Sequence, residues 1–276
     1  MKAALQGLFP EELQALCAAA GQPGFRGKQL WQWVQVRGAM RWEQMGNLPR
    51  ALKEALSKTH TAEPARILKE SGDSGGTRKW LIGLEDGEHV ETVLIPARDR
   101  HTVCVSTQAG CRMGCAFCAS AKGGFARSLS AGEIVAQVQA AAAALGRRPD
   151  NVVYMGMGEP LDNYDEVLRS VRILNHPDGL NIGARRITIS TCGILPGIRR
   201  LAGEGIQVEL SVSLHAANPA RRKQIMPVEN KHPMEELLAA CAEYTAATKR
   251  HITFEYTLVK GLNDSPEDAR ELAERL

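Results

Sequence analysis

Residues 101–118 read HTVCVSTQAGCRMGCAFC. The first part is an apolar, strand-like run and predicts a strand over His101–Thr107. On the loop that follows, Cys111, Cys115 and Cys118 form C-x₃-C-x₂-C. Three thiolates this close converge on a metal centre, and thiolates suit either zinc or iron–sulfur. A structural zinc needs four protein ligands, and Cys104 stands seven residues before Cys111 as a candidate fourth. An iron–sulfur cubane uses three and leaves its fourth iron open. Gly110, Gly114 and Gly123-Gly124 let the loop wrap closely, and Phe117 offers an apolar ring beside the centre.

Downstream, strand-like runs alternate with amphipathic helix patterns. Strands are expected at Asn151–Met157, Arg186–Ser190, Val208–Leu214 and Thr253–Val259, and helices at Ala131–Leu145, Tyr164–Leu174, Gly197–Ala202, Met234–Thr248 and Ser265–Leu276. This alternation predicts an α/β fold with a parallel sheet, doubly wound or barrel-like, whose ligands sit at the carboxyl ends of the strands. The unusual residues fall there: the cysteine loop, then Gly158-Glu159-Pro160, Ser190–Gly193 and Ser213–His215. No sixth strand follows, so the barrel is expected to be partial.

Upstream, short helices are expected at Pro10–Ala20, Gly27–Val36, Trp42–Met45 and Pro49–Lys58, then strands at Arg66–Lys69, Thr77–Leu84 and His89–Ile95 with Gly75-Gly76 and Asp86-Gly87 as turns. The expected organisation is a helical segment over 1–60, a β connector over 61–100 and the partial barrel over 101–276. On the third of these strands Glu91 shares a face with Val93 and Ile95, which leaves it either facing water at an edge or aimed into a cavity.

The 276 residues are 44% hydrophobic and 24% charged, a globular composition. No run approaches the ~20 apolar residues of a membrane helix. Glu11 and Glu12 break the apolar start, so no signal peptide is read and a cytoplasmic location is expected. Seven cysteines, an odd number, point to metal or catalytic use. Residues 1–60 hold 8 Lys+Arg against 4 Asp+Glu, and the other 216 hold 26 against 27, so the positive excess lies at the front. Trp31, Trp33 and Trp42 lie there too, either to stack on nucleic-acid bases or to fill a small core.

The C-x₃-C-x₂-C loop with an aromatic before its last cysteine resembles the signature of the radical SAM superfamily, and MGMGEPLDN resembles its Gly-Glu motif. The longer strings TVCVSTQAGCRMGCAFC, NVVYMGMGEPLDNYDEV, RRITISTCGILPGI and SVSLHAANPARRKQIMPVENK are similar to the RlmN/Cfr branch, and GFRGKQLWQWV to its accessory helical domain. The resemblance implies radical S-adenosylmethionine-dependent methyl transfer to an adenine carbon, C2 in preference to C8, of 23S ribosomal RNA and transfer RNA. The implied fold is a partial parallel (β/α) barrel with a small helical domain and a short antiparallel extension.

By the same resemblance, Cys111, Cys115 and Cys118 hold a 4Fe–4S cluster, while Gly158, Glu159, Ser190, Ser213, Leu214 and His215 contact S-adenosylmethionine. Cys104 matches the resolving cysteine, which forms a disulfide with a methyl-carrying cysteine during turnover, and Glu91 matches the proton acceptor. The methyl carrier is expected beyond Leu276, so the sequence is read as C-terminally truncated, either a fragment of a longer protein or a natural truncation unable to turn over. The implied partners are the two RNAs and an electron donor such as flavodoxin, with the protein a monomer and no membrane involved. The remaining alternatives are a zinc-stabilised RNA-binding module and a non-catalytic relative.

Overall fold

The computed structural model describes residues 2–276. Eight strands form one sheet. Three antiparallel strands, β1 (Ala65–Gly72), β2 (Arg78–Leu84) and β3 (His89–Ala97), lead into β4 (Arg100–Cys104). From β4 the sheet continues in parallel through β5 (Asn151–Tyr154), β6 (Ile187–Thr191), β7 (Glu209–Ser213) and β8 (Ile252–Glu255). Each strand pairs with its sequence neighbours, and β1 and β8 form two separate edges, so the barrel is open.

The parallel strands are shorter than the sequence suggests, but the backbone pairing outlasts them. Val105 donates to Val153 at 2.9 Å, and Thr107 donates to Met157 at 2.8 Å. The regular ladder is broken at Gly156, whose Cα packs so close to Ser106 that a Cβ would lie 2.7 Å from its hydroxyl.

The two faces of the sheet differ. Register puts Cys104, Val153, Thr188 and Glu209 in one row across β4 to β7, and alternation adds Ser190, Ser211 and Ser213 to the same face. The opposite face carries Val103, Val152, Ile189, Leu210 and Val212, all buried. Parallel sheets are normally covered by apolar packing on both faces. Here one face is polar, as suits a concave surface that receives a ligand.

After the front helices α1 (Pro10–Ala19), α2 (Phe25–Trp31) and α3 (Arg50–Ser57), the apolar face of the sheet is covered by α4 (Ala131–Leu145), α5 (Tyr164–Asn175), α6 (Leu195–Ala202) and α8 (Met234–Thr248), with α7 (Pro219–Ile225) preceding α8. Helix α4 starts where Ser130 accepts the Glu133 N–H and Glu133 accepts the Ser130 N–H, and it stops at Gly146 with φ of 70°. Helices α7 and α9 (Pro266–Arg275) flank the open end. The first of these is not foreseen in the sequence; Asn218 caps it, accepting from Arg221 N at 3.0 Å.

One apolar cluster runs from Leu5 to Tyr244 and joins the front helices to the sheet. Trp31 is 2% exposed, donates to the Asp178 carbonyl at 2.7 Å and meets His176 edge-on. Trp33 and Trp42 pack partly buried against the same cluster. The tryptophans therefore serve the core, and the exposed ring of this region is Phe25. No described helix is long and apolar enough to cross a membrane.

Candidate cluster and cofactor site

A cavity of about 190 Å³ opens at the carboxyl ends of β5 to β8. Cys111, Cys115 and Cys118 line it from one side, and Gly158, Glu159, Ser190, Ser213 and His215 from the other. Eight of the residues singled out in the sequence are thus brought together.

The cysteine loop is shaped by backbone contacts. Gly110 has φ of 77°, and a Cβ there would fall 1.9 Å from the Gly124 carbonyl, so only glycine fits. That approach lets Cys111 N donate to Gly124 at 2.9 Å. Gln137, buried on α4, accepts from Ser106 N at 2.8 Å and donates to Ser106 O at 3.0 Å, pinning the chain between β4 and the loop. Burial pushes the Cys111 thiol up and the Cys115 thiol up to about 11, the neighbouring thiols adding to it. A bound cation would offset that cost at Cys111 and Cys115.

The Gly158-Glu159 turn is equally constrained. Gly158 has φ of 102°, and a Cβ would sit 2.6 Å from that of Gln108. Gln108 accepts from Glu159 N at 2.9 Å and donates to Asp162 at 2.8 Å, tying the turn to the strand that carries the cysteines. The buried Glu159 carboxylate accepts from Leu161 N at 2.9 Å and from Cys192 N at 2.7 Å. Burial pushes its pKa up, against the pull of those N–H groups.

His215 has φ of 57° and is buried, with its Nδ1 accepting from Thr257 N at 3.0 Å. That bond uses the Nδ1 lone pair and leaves Nε2 as the protonated nitrogen of the neutral ring. Burial, and then the charge of Arg222, bring its pKa down to about 4. Its ring meets Phe117 edge-on at 4.9 Å, beside Cys118.

The model described as the radical SAM superfamily matches residues 105–274, and that of the ribosomal RNA large subunit methyltransferase N-terminal domain matches residues 3–61. The probable dual-specificity RNA methyltransferase RlmN of Moorella thermoacetica is 47% identical over 99% of this chain and 79% of its own length. That of Symbiobacterium thermophilum is 49% identical over 99% and 74%. A solved radical SAM methyltransferase from Sphaerobacter thermophilus superposes with a TM-score of 0.96 at 46% identity, covering 99% of this chain and 82% of the other. The chain belongs to the RlmN family of radical SAM enzymes.

Three expected residues lie outside the cavity of this RlmN-family chain. Leu214 is fully buried, and only its backbone serves the site, its N–H donating to the Glu255 carbonyl at 3.0 Å. Cys104 stands on β4, away from the other three cysteines, and burial raises its thiol to about 11. A closed four-thiolate zinc site is therefore not what the structure presents. Glu91 pairs with Lys79 at 2.9 Å, its side chain 46% exposed. Because Val93 is directly opposite Cys104, Glu91 and Cys104 share the polar face of the sheet. All seven cysteines are free thiols.

Two residues of the site, Glu255 and Arg222, were missed, and Cys192, placed at a strand end by the sequence, was given no role there. Glu255, at the end of β8, accepts from Ser190 at 3.3 Å and Ser213 at 3.1 Å. The expected strand Thr253–Val259 placed it in the interior, whereas the observed strand ends at Glu255, so the sequence carried no strand-end signal for it. Cys192 also lines the cavity, its thiol raised well above the usual range by burial and by Glu159. Arg222 is 0% exposed and pairs with Glu229 at 2.6 Å, while donating to the carbonyls of Cys192 at 2.6 Å and Leu214 at 3.2 Å. It fastens the ends of β6 and β7 together. Within Arg221-Arg222-Lys223 nothing local marks the middle residue as buried.

Proposed function

We propose that the chain carries the cluster- and S-adenosylmethionine-binding part of an enzyme that methylates an adenine carbon, C2, of 23S ribosomal RNA and transfer RNA in the cytoplasm, using S-adenosylmethionine and a 4Fe–4S cluster. The observation that carries this reading is the convergence of Cys111, Cys115 and Cys118 with the Gly158-Glu159 turn on one cavity. The donor set fits the cofactors: three thiols on a glycine-shaped loop face a buried carboxylate and two serine hydroxyls. When bound, the cluster supplies the electron that cleaves S-adenosylmethionine reductively.

The protein's own part is positioning. Glu159 is held by two backbone N–H groups and remains available to the ammonium of the methionyl moiety. Ser190, Ser213 and His215 line the cavity as further contacts to S-adenosylmethionine, and Leu214 holds the local backbone. Phe117 and Met155 supply apolar wall. On the polar face, Cys104 is assigned the resolving role and Glu91 that of proton acceptor in a methyl-cysteine route. Cys17 and Cys241 are buried in helices, and Cys192 is held as a thiol beside Glu159, so none of these three is assigned the methyl-carrying part. The protein is assigned as a monomer that takes its electron from a flavodoxin-type donor.

The test is anaerobic reconstitution with iron and sulfide, followed by reductant and S-adenosylmethionine. An iron–sulfur absorption band and release of 5′-deoxyadenosine are expected. A colourless protein that retains zinc and releases none overturns the reading. With an active full-length relative as reference, label mapping on the adenine ring distinguishes C2 from C8.

A further inference from the structure

Two clefts adjoin at the amino ends of the parallel strands, on the side of the sheet away from the cysteine loop. One, of about 410 Å³, is lined by Arg37, Arg147 and Arg148; the other, of about 220 Å³, by Arg100, Arg148 and Arg186. Arg148 belongs to both, so the clefts form one surface. The five arginines are all exposed. They arrive from the front helical segment, from the starts of β4 and β6, and from the turn after α4.

Their charge is largely unmatched. Asp150 is the only carboxylate among the described residues lining either cleft, and it is paired with Arg147 at 3.1 Å. Arg148 donates to the carbonyls of Leu180 and Asn181, and Arg37 lies over the Trp33 ring at 4.3 Å. Neither they, nor Arg100 or Arg186, has a carboxylate at ion-pair distance among the described residues. By contrast, Arg172, Arg199, Arg200 and Arg250 each face an acidic partner. The partial negative charge at the end of α4 accounts for a cation at Arg147. It does not account for Arg37, Arg100 and Arg186, which come from other elements.

We propose that this arginine surface is a second RNA-binding face, which holds backbone phosphates of a folded RNA whose target base enters the cavity at the other end of the sheet. Guanidinium groups without a carboxylate partner bind phosphate oxygens and release counterions from the RNA. The strands between the two ends have only four or five residues, about 15 Å at ~3.3 Å per residue. A folded RNA spans that distance along the flank where Arg37 joins the barrel. A short single strand that fills only the cavity does not. The proposal rests on the chain being an RNA methyltransferase, and its test separates the two.

The measurement is fluorescence anisotropy of the whole chain with a labelled transfer RNA and with a labelled short adenine-containing oligonucleotide, each across a salt series. For the triple variant Arg100→Gln, Arg148→Gln and Arg186→Gln, the slope of log affinity against log salt for transfer RNA should fall by about two, at 0.7–0.9 per lost phosphate contact. The slope for the short oligonucleotide should not change. Replacing the same three by lysine should restore most of the slope, and Arg199→Gln with Arg200→Gln and Arg270→Gln should leave it alone. Transfer RNA bound by the parent with no change of slope in the first variant overturns the second face while leaving the enzyme reading intact. An equal loss in the control variant also overturns it, because net charge alone would then be responsible. Failure of the parent chain to bind either RNA overturns both.

Discussion

Glu159 accepts the backbone N–H of Cys192 at 2.7 Å, across 33 residues of sequence, and so joins the turn after β5 to the end of β6. The same carboxylate is the proposed partner of the methionyl ammonium, which gives it a structural part and a binding part that two substitutions separate. Glu159→Gln loses the charge and keeps an acceptor for only one of the two N–H groups, because Leu161 N and Cys192 N use different oxygens and one of these becomes an amide NH2. It should cost stability for one unsatisfied N–H, ~1–3 kcal/mol, half the loss expected of alanine, and weaken S-adenosylmethionine binding more than tenfold, read by equilibrium dialysis of the reconstituted protein. Glu159→Ala strands two buried N–H groups at ~1–3 kcal/mol each and should lower the denaturation midpoint as well. Equal affinity in parent and Gln variant would remove Glu159 from the binding site.

Replacing Cys111, Cys115 or Cys118 singly by alanine should abolish iron retention after reconstitution, whereas Cys104→Ala should retain the parent's iron. The three line one cavity and Cys104 stands apart on β4. Metal analysis of the four variants decides it. Equal loss in all four would mean a four-ligand site.

Most of this architecture could be read in the sequence, because the strand and helix patterns are periodic and carry their own boundaries. Helices α4 and α8 fall on the expected residues, Ala131–Leu145 and Met234–Thr248. The cavity could be read for a different reason: the parallel topology places every strand's carboxyl end on one side, so motifs far apart in sequence converge. What could not be read is whatever depends on tertiary burial. Arg222 sits in a basic run that looks solvated, and only the fold turns it inward. The partial burial of Trp33 and the deep burial of Trp31 are likewise decided by helices that pack on the sheet.

Gly158→Ala should destabilise the chain by about 2–4 kcal/mol, combining strain at positive φ with overpacking. The new methyl group would meet the Cβ of Gln108, whose side chain positions both Glu159 and Asp162. The denaturant midpoint should fall accordingly, and S-adenosylmethionine affinity should fall with it. A midpoint within error of the parent would show that the turn relaxes without cost.

Arg222→Met removes a buried cation and leaves Glu229 ionised or forced to protonate, a loss of roughly 3–5 kcal/mol. Because Glu229 also accepts from Met234 N at 2.9 Å at the start of α8, the damage should spread to that helix. Adding Glu229→Gln should restore part of the loss, since the double variant buries no unpaired charge. A double variant as unstable as the sum of the two single ones would show that the pair is not coupled.

Acid should destabilise the fold through His215. Its pKa is about 4 when folded, against ~6.5 when unfolded. Between those values the unfolded chain binds a proton that the folded chain does not, so stability falls as pH drops from about 6.5 towards 4. The cause is burial, reinforced by the Arg222 charge, and the Thr257 N–H already occupies Nδ1. Replacement by asparagine preserves the left-handed backbone at φ of 57°, which asparagine tolerates better than most residues. His215→Asn should therefore fold and start from a lower stability at pH 7.5. Its thermal midpoint should drop less than the parent's on going to pH 5.5, with the cluster omitted from both. Parallel decline of the two midpoints would place the acid sensitivity on other groups and show that His215 keeps its proton when the fold closes around it.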